Sequence, residues 1–297
     1  MKKPQIKYMQ RDNQLLIDIF KHRFLTISQI RRLHFPSLQT AYRRLRLLRQ
    51  EGLLKTFNVP GIDESIFNLT AKGHGAVSVS LGIDIDEMNI TSLRTKPHDY
   101  YFMRHFLAIN DFRIMLRQSC VNNNIRLLGF IPDYYGERST GFGIKKYIKD
   151  ITCDITHREE ELSHTPDGVF SLECNGKAAL FFLEIDKGTE VVANPIKGVL
   201  KAFRFYAGYL LDGNYQKYSR DFGIKPFKGF RVLLVTNSRE RIANIRRAVT
   251  SAEFPDKIKR FFWLSTYDQL KKNGLFETFW LSSLESDESL HSLLGRD

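Results

Sequence analysis

Long apolar runs are missing from this 297-residue chain, and none approaches the roughly 20 residues that a membrane-spanning helix needs. Cysteine is scarce, and three widely spaced residues, odd in number, do not make a disulfide framework. The basic start has no apolar segment behind it, so we expect no secretory signal. Internal repeats and low-complexity tracts are also missing. These absences predict a cytoplasmic protein with reduced thiols and no membrane partner.

Charge is unevenly distributed along the chain. The formal net charge is +12, and residues 1–57 hold 13 Lys and Arg against 3 Asp and Glu, while the rest of the chain is nearly neutral. A compact basic segment beside a near-neutral remainder is typical of a module that binds a polyanion. Nucleic acid is the commonest polyanion of the cytosol. A solvated basic face without a partner is the alternative.

The basic segment has the periodicity of three helices followed by a hairpin. The predicted elements are a helix over 11–22, a short helix capped by Thr26 or Ser28, a helix over 38–51 capped by Ser37 and ended by Gly52, and extended runs over 53–59 and 65–70. Residues 71–81 predict a further short helix. The third helix carries an apolar stripe on one side and polar, basic residues on the other.

This order of elements resembles the winged helix-turn-helix fold, in which the third helix lies in the major groove of DNA and the hairpin touches the backbone. Arginine contacts guanine edges or phosphates, and glutamine reads adenine. The expected contacts with double-stranded DNA are the residues off the apolar stripe: Gln39, Thr40, Arg43, Arg44 and Arg46. An RNA or protein partner, or a helical bundle with solvated arginines, is the alternative.

The remainder of the chain predicts a second domain. The polar stretch 83–101 is interpreted as a linker between domains over 1–82 and 102–297. The second domain mixes helices and strands in the order α-β-β-β-α-β-α-β, with a hairpin at Asn175-Gly176. Residues 132–165 are expected to form irregular excursions, and the last residues an acidic tail. The predicted fold class is therefore mixed α/β.

Three carboxylates surround the predicted hairpin. A strand has a period of two, so Glu184 and Asp186 point to one face, and Asp167 begins the paired strand. Carboxylates at the end of an apolar strand are costly to leave unpaired. Their oxygens suit Mg²⁺ or Mn²⁺, which activates water for attack on a phosphodiester. The sequence thus predicts a metal site at these three residues. A strand end paired with Lys177 or Arg231 is the alternative.

The same stretch resembles the PD-(D/E)xK nuclease superfamily, because Pro166-Asp167 matches its first part and Glu184 its acid. The resemblance implies a nuclease-like α/β domain with Asp167, Glu184, Asp186 and Lys187 as the catalytic set.

One departure from that pattern concerns the lysine. The family's lysine position is Asp186 here, and Lys187 follows one residue later, on the other face of a regular strand. Either a bulge re-aims Lys187, or Lys197 or Lys201 of the next helix replaces it. Without such a lysine, the resemblance implies a nuclease fold with weak activity or none.

The whole chain resembles the replication-relaxation proteins of plasmids and other mobile elements. The resemblance rests on the basic start, the RHFLAINDF segment (104–112), Pro-Asp-Gly (166–168) and the FLEIDKGTE run (182–190). It implies a role in plasmid replication and in relaxation of plasmid DNA. A homodimer and proteins of the replication machinery are the further partners expected. The protein either nicks DNA with a divalent metal, or is a transcriptional regulator or replication accessory factor on an inactive nuclease fold.

Overall fold

The computed structural model describes residues 9–84, 100–138, 144–155, 160–187 and 198–295. The chain forms two compact units, Met1–Ile114 and Met115–Asp297. Most of the predicted linker 83–101 lies outside the described residues. No helix in the described ranges is both long and apolar enough to cross a membrane.

The first unit consists of helices and a small sheet. Its elements are α1 (Gln10–His22), β1 (Leu25–Thr26), α2 (Ile27–His34), α3 (Leu38–Gln50), β2 (Leu54–Phe57), β3 (Ile66–Leu69), α4 (Ala71–Leu81) and the part of α5 (Tyr100–Asn122) that ends at Ile114. The three strands form an antiparallel sheet in the order β1-β3-β2. The order of helix, helix, basic helix and hairpin is the predicted one.

Local signals in the sequence set the ends of these helices. The Thr26 hydroxyl accepts the Gln29 N–H, and the Gln29 side chain accepts the Thr26 N–H, so the two form a capping box at α2. Ser37 caps α3 by accepting the Thr40 N–H. Gly52 follows α3 with a φ of +71°, which glycine adopts without strain.

The part of α5 that ends at Ile114 packs into the first unit. The Asn110 amide donates to the carbonyls of His22 at 3.0 Å and Phe24 at 2.7 Å. Arg32 of α2 also forms an ion pair with Asp111 at 2.7 Å. These contacts explain why the units divide after Ile114, later than the predicted start of the second domain at residue 102.

The second unit is built on a seven-stranded mixed sheet in the order β14-β13-β12-β11-β10-β9-β4. Its elements are β4 (Arg126–Pro132), β5 (Gly136–Arg138), β6 (Ile144–Lys146), β7 (Asp150–Cys153), β8 (Glu161–His164), β9 (Gly168–Cys174), β10 (Lys177–Asp186), α6 (Val199–Asp212), α7 (Lys217–Asp221), β11 (Phe230–Thr236), α8 (Arg239–Ser251), α9 (Asp256–Lys259), β12 (Phe262–Thr266), α10 (Tyr267–Asn273), β13 (Trp280–Ser282) and β14 (Leu290–His291). Strand β9 pairs antiparallel with both β4 and β10, and β10, β11 and β12 are parallel. The predicted mixed α/β class is confirmed.

The β9–β10 hairpin positions the carboxylates. Asn175 and Gly176 turn it with φ values of 50° and 70°, as the Asn-Gly signal predicts. At its open end, a Cβ on Gly168 would lie 2.3 Å from the Phe130 ring, so the Pro-Asp-Gly glycine permits close strand packing.

Two expectations about irregular regions are wrong. Residues 132–165 contain two pairs of short antiparallel strands, β5 with β6 and β7 with β8. The acidic end of the chain joins the main sheet as β14, and Leu293 is buried. Buried Arg246 holds this end by donating to the carbonyls of Leu284, Glu285 and Asp287. Strands of two to four residues carry too few positions for a visible alternation.

Aromatic side chains hold α6 against the sheet. Phe203 stacks on Phe262 with ring centroids 3.6 Å apart, and Tyr206 packs on Phe182 at 5.3 Å. The same core contains Ile242 and Ile245 of α8. Helices α6 and α8 therefore cover the face of β10 to which Phe182 points.

Candidate nucleic-acid interface and carboxylate site

A stripe of arginines runs along α3. Arg43, Arg46 and Arg49 occur at every third position and are exposed. Within the described ranges, none of the three has an ion pair or a side-chain hydrogen bond. They border a groove of about 400 Å³ that Tyr42 and Phe67 also line, between α3 and β3. Unpaired guanidinium groups beside a hairpin offer donors to phosphate groups.

Arg44 has a different role from the one predicted. Its Nε donates to Oδ1 of Asp12 at 2.7 Å, and its Nη2 contacts the other oxygen of the same carboxylate. The two side chains are only 10% and 0% exposed. The prediction that Arg44 contacts DNA is therefore wrong, because its guanidinium compensates a buried charge of α1 and is not available at the surface.

The two polar residues at the start of α3 differ in how free their side chains are to contact a ligand. Gln39 is exposed. The Thr40 hydroxyl donates to the Ser37 carbonyl at 2.9 Å and so belongs to the cap of the helix. Their DNA contacts stay a prediction, for which Gln39 has the freer side chain.

Glu184 lies at the centre of a hydrogen-bonded trio from β8, β10 and α6. His164 Nε2 lies 2.7 Å from Oε1 of Glu184, and the Tyr206 hydroxyl donates to the same oxygen at 2.5 Å. Burial, together with the charge of Glu184, raises the pKa of Tyr206 far above its ordinary value, so its phenol remains a donor. The side chains of His164 and Glu184 are 20% and 15% exposed, so solvent reaches this pair.

Asp167 lies beside Glu184. Leu183 pairs with Gly168 across the hairpin, which places the preceding Asp167 next to Glu184. Oδ2 of Asp167 accepts the Ile185 N–H at 2.7 Å. Its charge also contributes to the raised pKa of the phenol in the trio. The structure thus brings two of the three predicted carboxylates together.

Asp186, the third carboxylate, is paired with a cation. Its side chain is 3% exposed, and its Oδ2 accepts from Arg241 Nε of α8 at 2.6 Å. The alternative interpretation of a salt-bridged strand end therefore holds for Asp186, with Arg241 as the partner in place of Lys177 or Arg231.

Lys187 packs against an aromatic ring. Its Nζ lies 4.2 Å from the ring centroid of Tyr267, the first residue of α10. The pairing of β10 with β11 runs in regular register up to Asp186, so no bulge precedes Lys187. Of the two alternative lysines, Lys197 lies outside the described residues and Lys201 is half-buried in α6. A catalytic role of Lys187 stays a prediction.

Among the described residues, the three carboxylates are not gathered into the metal site that the sequence predicts. No group of three or more His, Cys, Asp or Glu residues in the described part of the chain is placed to hold a metal ion. Arg241 compensates Asp186, which leaves Asp167 and Glu184 as the adjacent acids. The described residues therefore do not fit the predicted three-carboxylate set for Mg²⁺ or Mn²⁺.

Four residues of these two sites were not predicted from the sequence as site residues. Arg49 continues the three-residue spacing of Arg43 and Arg46, a signal that was visible, and Tyr42 is adjacent to that stripe. His164 precedes Pro166 by two residues, but no local pattern links it to Glu184. Tyr206 reaches Glu184 only through the packing of α6.

One protein family is similar to this chain over more than half of its length. A sequence model of the family described as replication-relaxation matches residues 16–223, well over half of the chain. No curated protein matches it. Among solved structures, it is similar to MarR of Staphylococcus aureus in complex with salicylate and kanamycin, at 18% identity over 40% of this chain and 75% of that one. The TM-score of that pair is 0.24, which is too low to show a shared fold.

Proposed function

Because this chain belongs to the replication-relaxation family, we propose that it binds double-stranded DNA of a plasmid or other mobile element and acts in its replication. The contact is made by α3 and the β2–β3 hairpin, as in a winged helix-turn-helix protein. The observation that carries the proposal is the exposed stripe of Arg43, Arg46 and Arg49, which pair with no residue that the structure describes.

The exposed side of α3 supports two kinds of contact. Gln39, at the first turn, is available to base edges, where glutamine pairs with adenine. The arginines farther along the helix border the groove beside the hairpin and are placed to bind phosphates of one strand. Phosphate contacts hold the helix in register, and base contacts supply the specificity.

We propose further that the second unit is a PD-(D/E)xK-like scaffold without strong nuclease activity. The observation that favours this is the pairing of Asp186 with Arg241, which removes one of three acids from the predicted site. Metal-dependent nicking at Asp167 and Glu184 stays a prediction, as do a homodimer and contacts with replication proteins.

Fluorescence anisotropy with a labelled duplex of the element's own sequence tests the DNA contact. The Arg43→Ala/Arg46→Ala variant should bind at least tenfold more weakly than the wild type, with unchanged urea unfolding. Equal binding by variant and wild type would exclude α3 as the contact.

Nicking of supercoiled plasmid in Mn²⁺ tests the scaffold proposal. We expect no open circles from wild type that binds duplex normally. Open circles from the wild type, and none from Asp167→Ala, would instead establish a metal-dependent nuclease.

A further inference from the structure

An aromatic patch lies at the turn of the β2–β3 hairpin. We call it the tip patch, and it consists of Tyr100, Tyr101, Phe102 and Arg104 of α5. Tyr101 is 67% exposed, and its ring meets that of Tyr100 edge to face at 5.4 Å. Tyr100 covers the hairpin turn so closely that a Cβ on Gly61 would lie 2.9 Å from its ring. The turn and the start of α5 thus form one surface.

Buried rings attach this patch to the sheet of the first unit. Phe24 packs edge-on against Phe57 of β2 at 5.5 Å and against Phe106 of α5 at 5.3 Å. Phe106 in turn contacts Phe102 at 6.0 Å. The patch is therefore held by packed elements, and a ligand does not have to order it on binding.

The tip patch also carries a cation that has no acidic partner in the described part of the chain. The Arg104 guanidinium lies 5.6 Å from the Tyr100 ring centroid, and its side chain forms no ion pair with any described residue. Exposed rings next to arginine are typical of surfaces that bind single-stranded nucleic acid, because bases stack on the rings and phosphates bind the cation.

We propose that the tip patch binds unpaired nucleobases of DNA, with Tyr101 stacking on a base and Arg104 binding a neighbouring phosphate. This inference rests on the proposed function, since α3 holds the duplex while the patch holds an opened strand beside the hairpin. A second copy of the chain is the other occupant that an exposed aromatic surface admits. The unpaired cation, in a unit with a strong excess of positive charge, favours nucleic acid.

Two labelled probes of one sequence test the proposal by anisotropy: a blunt duplex, and the same duplex with a central unpaired bubble. The wild type should prefer the bubble. Tyr101→Ala should lose about tenfold in affinity for the bubble, since stacking on one ring contributes that much, and nothing for the duplex. Tyr101→Phe, the matched control, keeps the ring and should keep the preference. Arg104→Gln should lower the salt dependence of bubble binding alone.

Unchanged binding of both probes by Tyr101→Ala would overturn the proposal. A fall in sedimentation coefficient of that variant, with its probe preference intact, would assign the patch to self-association and overturn it as well. The blunt duplex has no unpaired base and reports on α3. If the DNA-binding proposal fails, the wild type does not bind the blunt duplex. If this inference fails, Tyr101→Ala prefers the bubble over the duplex as strongly as the wild type does.

Discussion

Arg43 and Arg44 are neighbours in the sequence, but their replacement should have opposite consequences. Arg44 shares a buried bidentate pair with Asp12, whereas Arg43 is exposed and pairs with no described residue. The first unit of Arg44→Ala should therefore be less stable than that of the wild type. Arg43→Ala should weaken DNA binding without lowering stability. The two variants separate a structural arginine from a binding one on a single helix.

The size of the effect follows from the burial of Asp12. Removing one member of a buried ion pair costs about 3–5 kcal/mol, because the remaining charge is uncompensated. In a unit of this size each kcal/mol lowers the unfolding midpoint by about 4–8 °C, so the expected fall exceeds about 10 °C. Arg43→Ala should change the free energy of unfolding by no more than about 0.5 kcal/mol.

Urea unfolding followed by far-UV circular dichroism measures this difference. Trp263 and Trp280, the only tryptophans, lie in the second unit, so their fluorescence gives a separate trace for that unit. The double variant Asp12→Leu/Arg44→Met, which removes both charges, should recover most of the loss. It should retain a deficit of about 1 kcal/mol, because Asp12 also accepts the Met9 N–H at the start of α1. An Arg44→Ala variant as stable as the wild type, with weakened DNA binding, would refute the reasoning.

Three further predictions concern stability. Tyr206→Phe removes a hydrogen-bond donor to Glu184 and should lower the free energy of unfolding by about 1.5–3 kcal/mol, measured by tryptophan-monitored urea unfolding. An unchanged unfolding midpoint would contradict a stabilising hydrogen bond between Tyr206 and Glu184. Arg241→Ala removes the ion-pair partner that the structure shows for the buried Asp186 carboxylate and should cost about 3–5 kcal/mol by the same assay. A loss below about 1 kcal/mol would count against the buried pair. Burial raises the pKa of Glu64, but hydrogen bonds from the start of α2 together lower it by a larger amount. The pKa of Glu64 therefore lies below its ordinary value. A carboxylate of this kind stabilises the fold at a pH above its ordinary pKa, and this contribution is lost as the pH falls through its folded-state pKa. The wild type should therefore lose its stability advantage over Glu64→Gln in acid. Parallel pH profiles of the two proteins by circular dichroism would contradict this.

Local signals in the sequence predicted much of the fold. Ser37 and Gly52 mark both ends of α3, and Asn175-Gly176 marks the central hairpin, because a cap or a tight turn depends only on nearby residues. The order of helices and strands followed from hydrophobic periodicity in the same way.

The roles of individual charged residues depend on distant partners and were less predictable. Arg44 lies on the basic side of α3 in the sequence, and only the fold brings it to Asp12, 32 residues earlier. Asp186 shares a strand face with Glu184, as its spacing predicts, but its partner Arg241 is 55 residues away. Neither pairing leaves a mark in local spacing.

The salt dependence of duplex binding tests the central claim, that the exposed arginines of α3 bind the DNA backbone. The logarithm of the binding constant of the wild type should fall linearly with the logarithm of the salt concentration. In the Arg43→Ala/Arg46→Ala variant the magnitude of the slope should decrease by about 2, one for each lost phosphate contact. An identical slope for variant and wild type would contradict the account and place the DNA contact elsewhere on the protein.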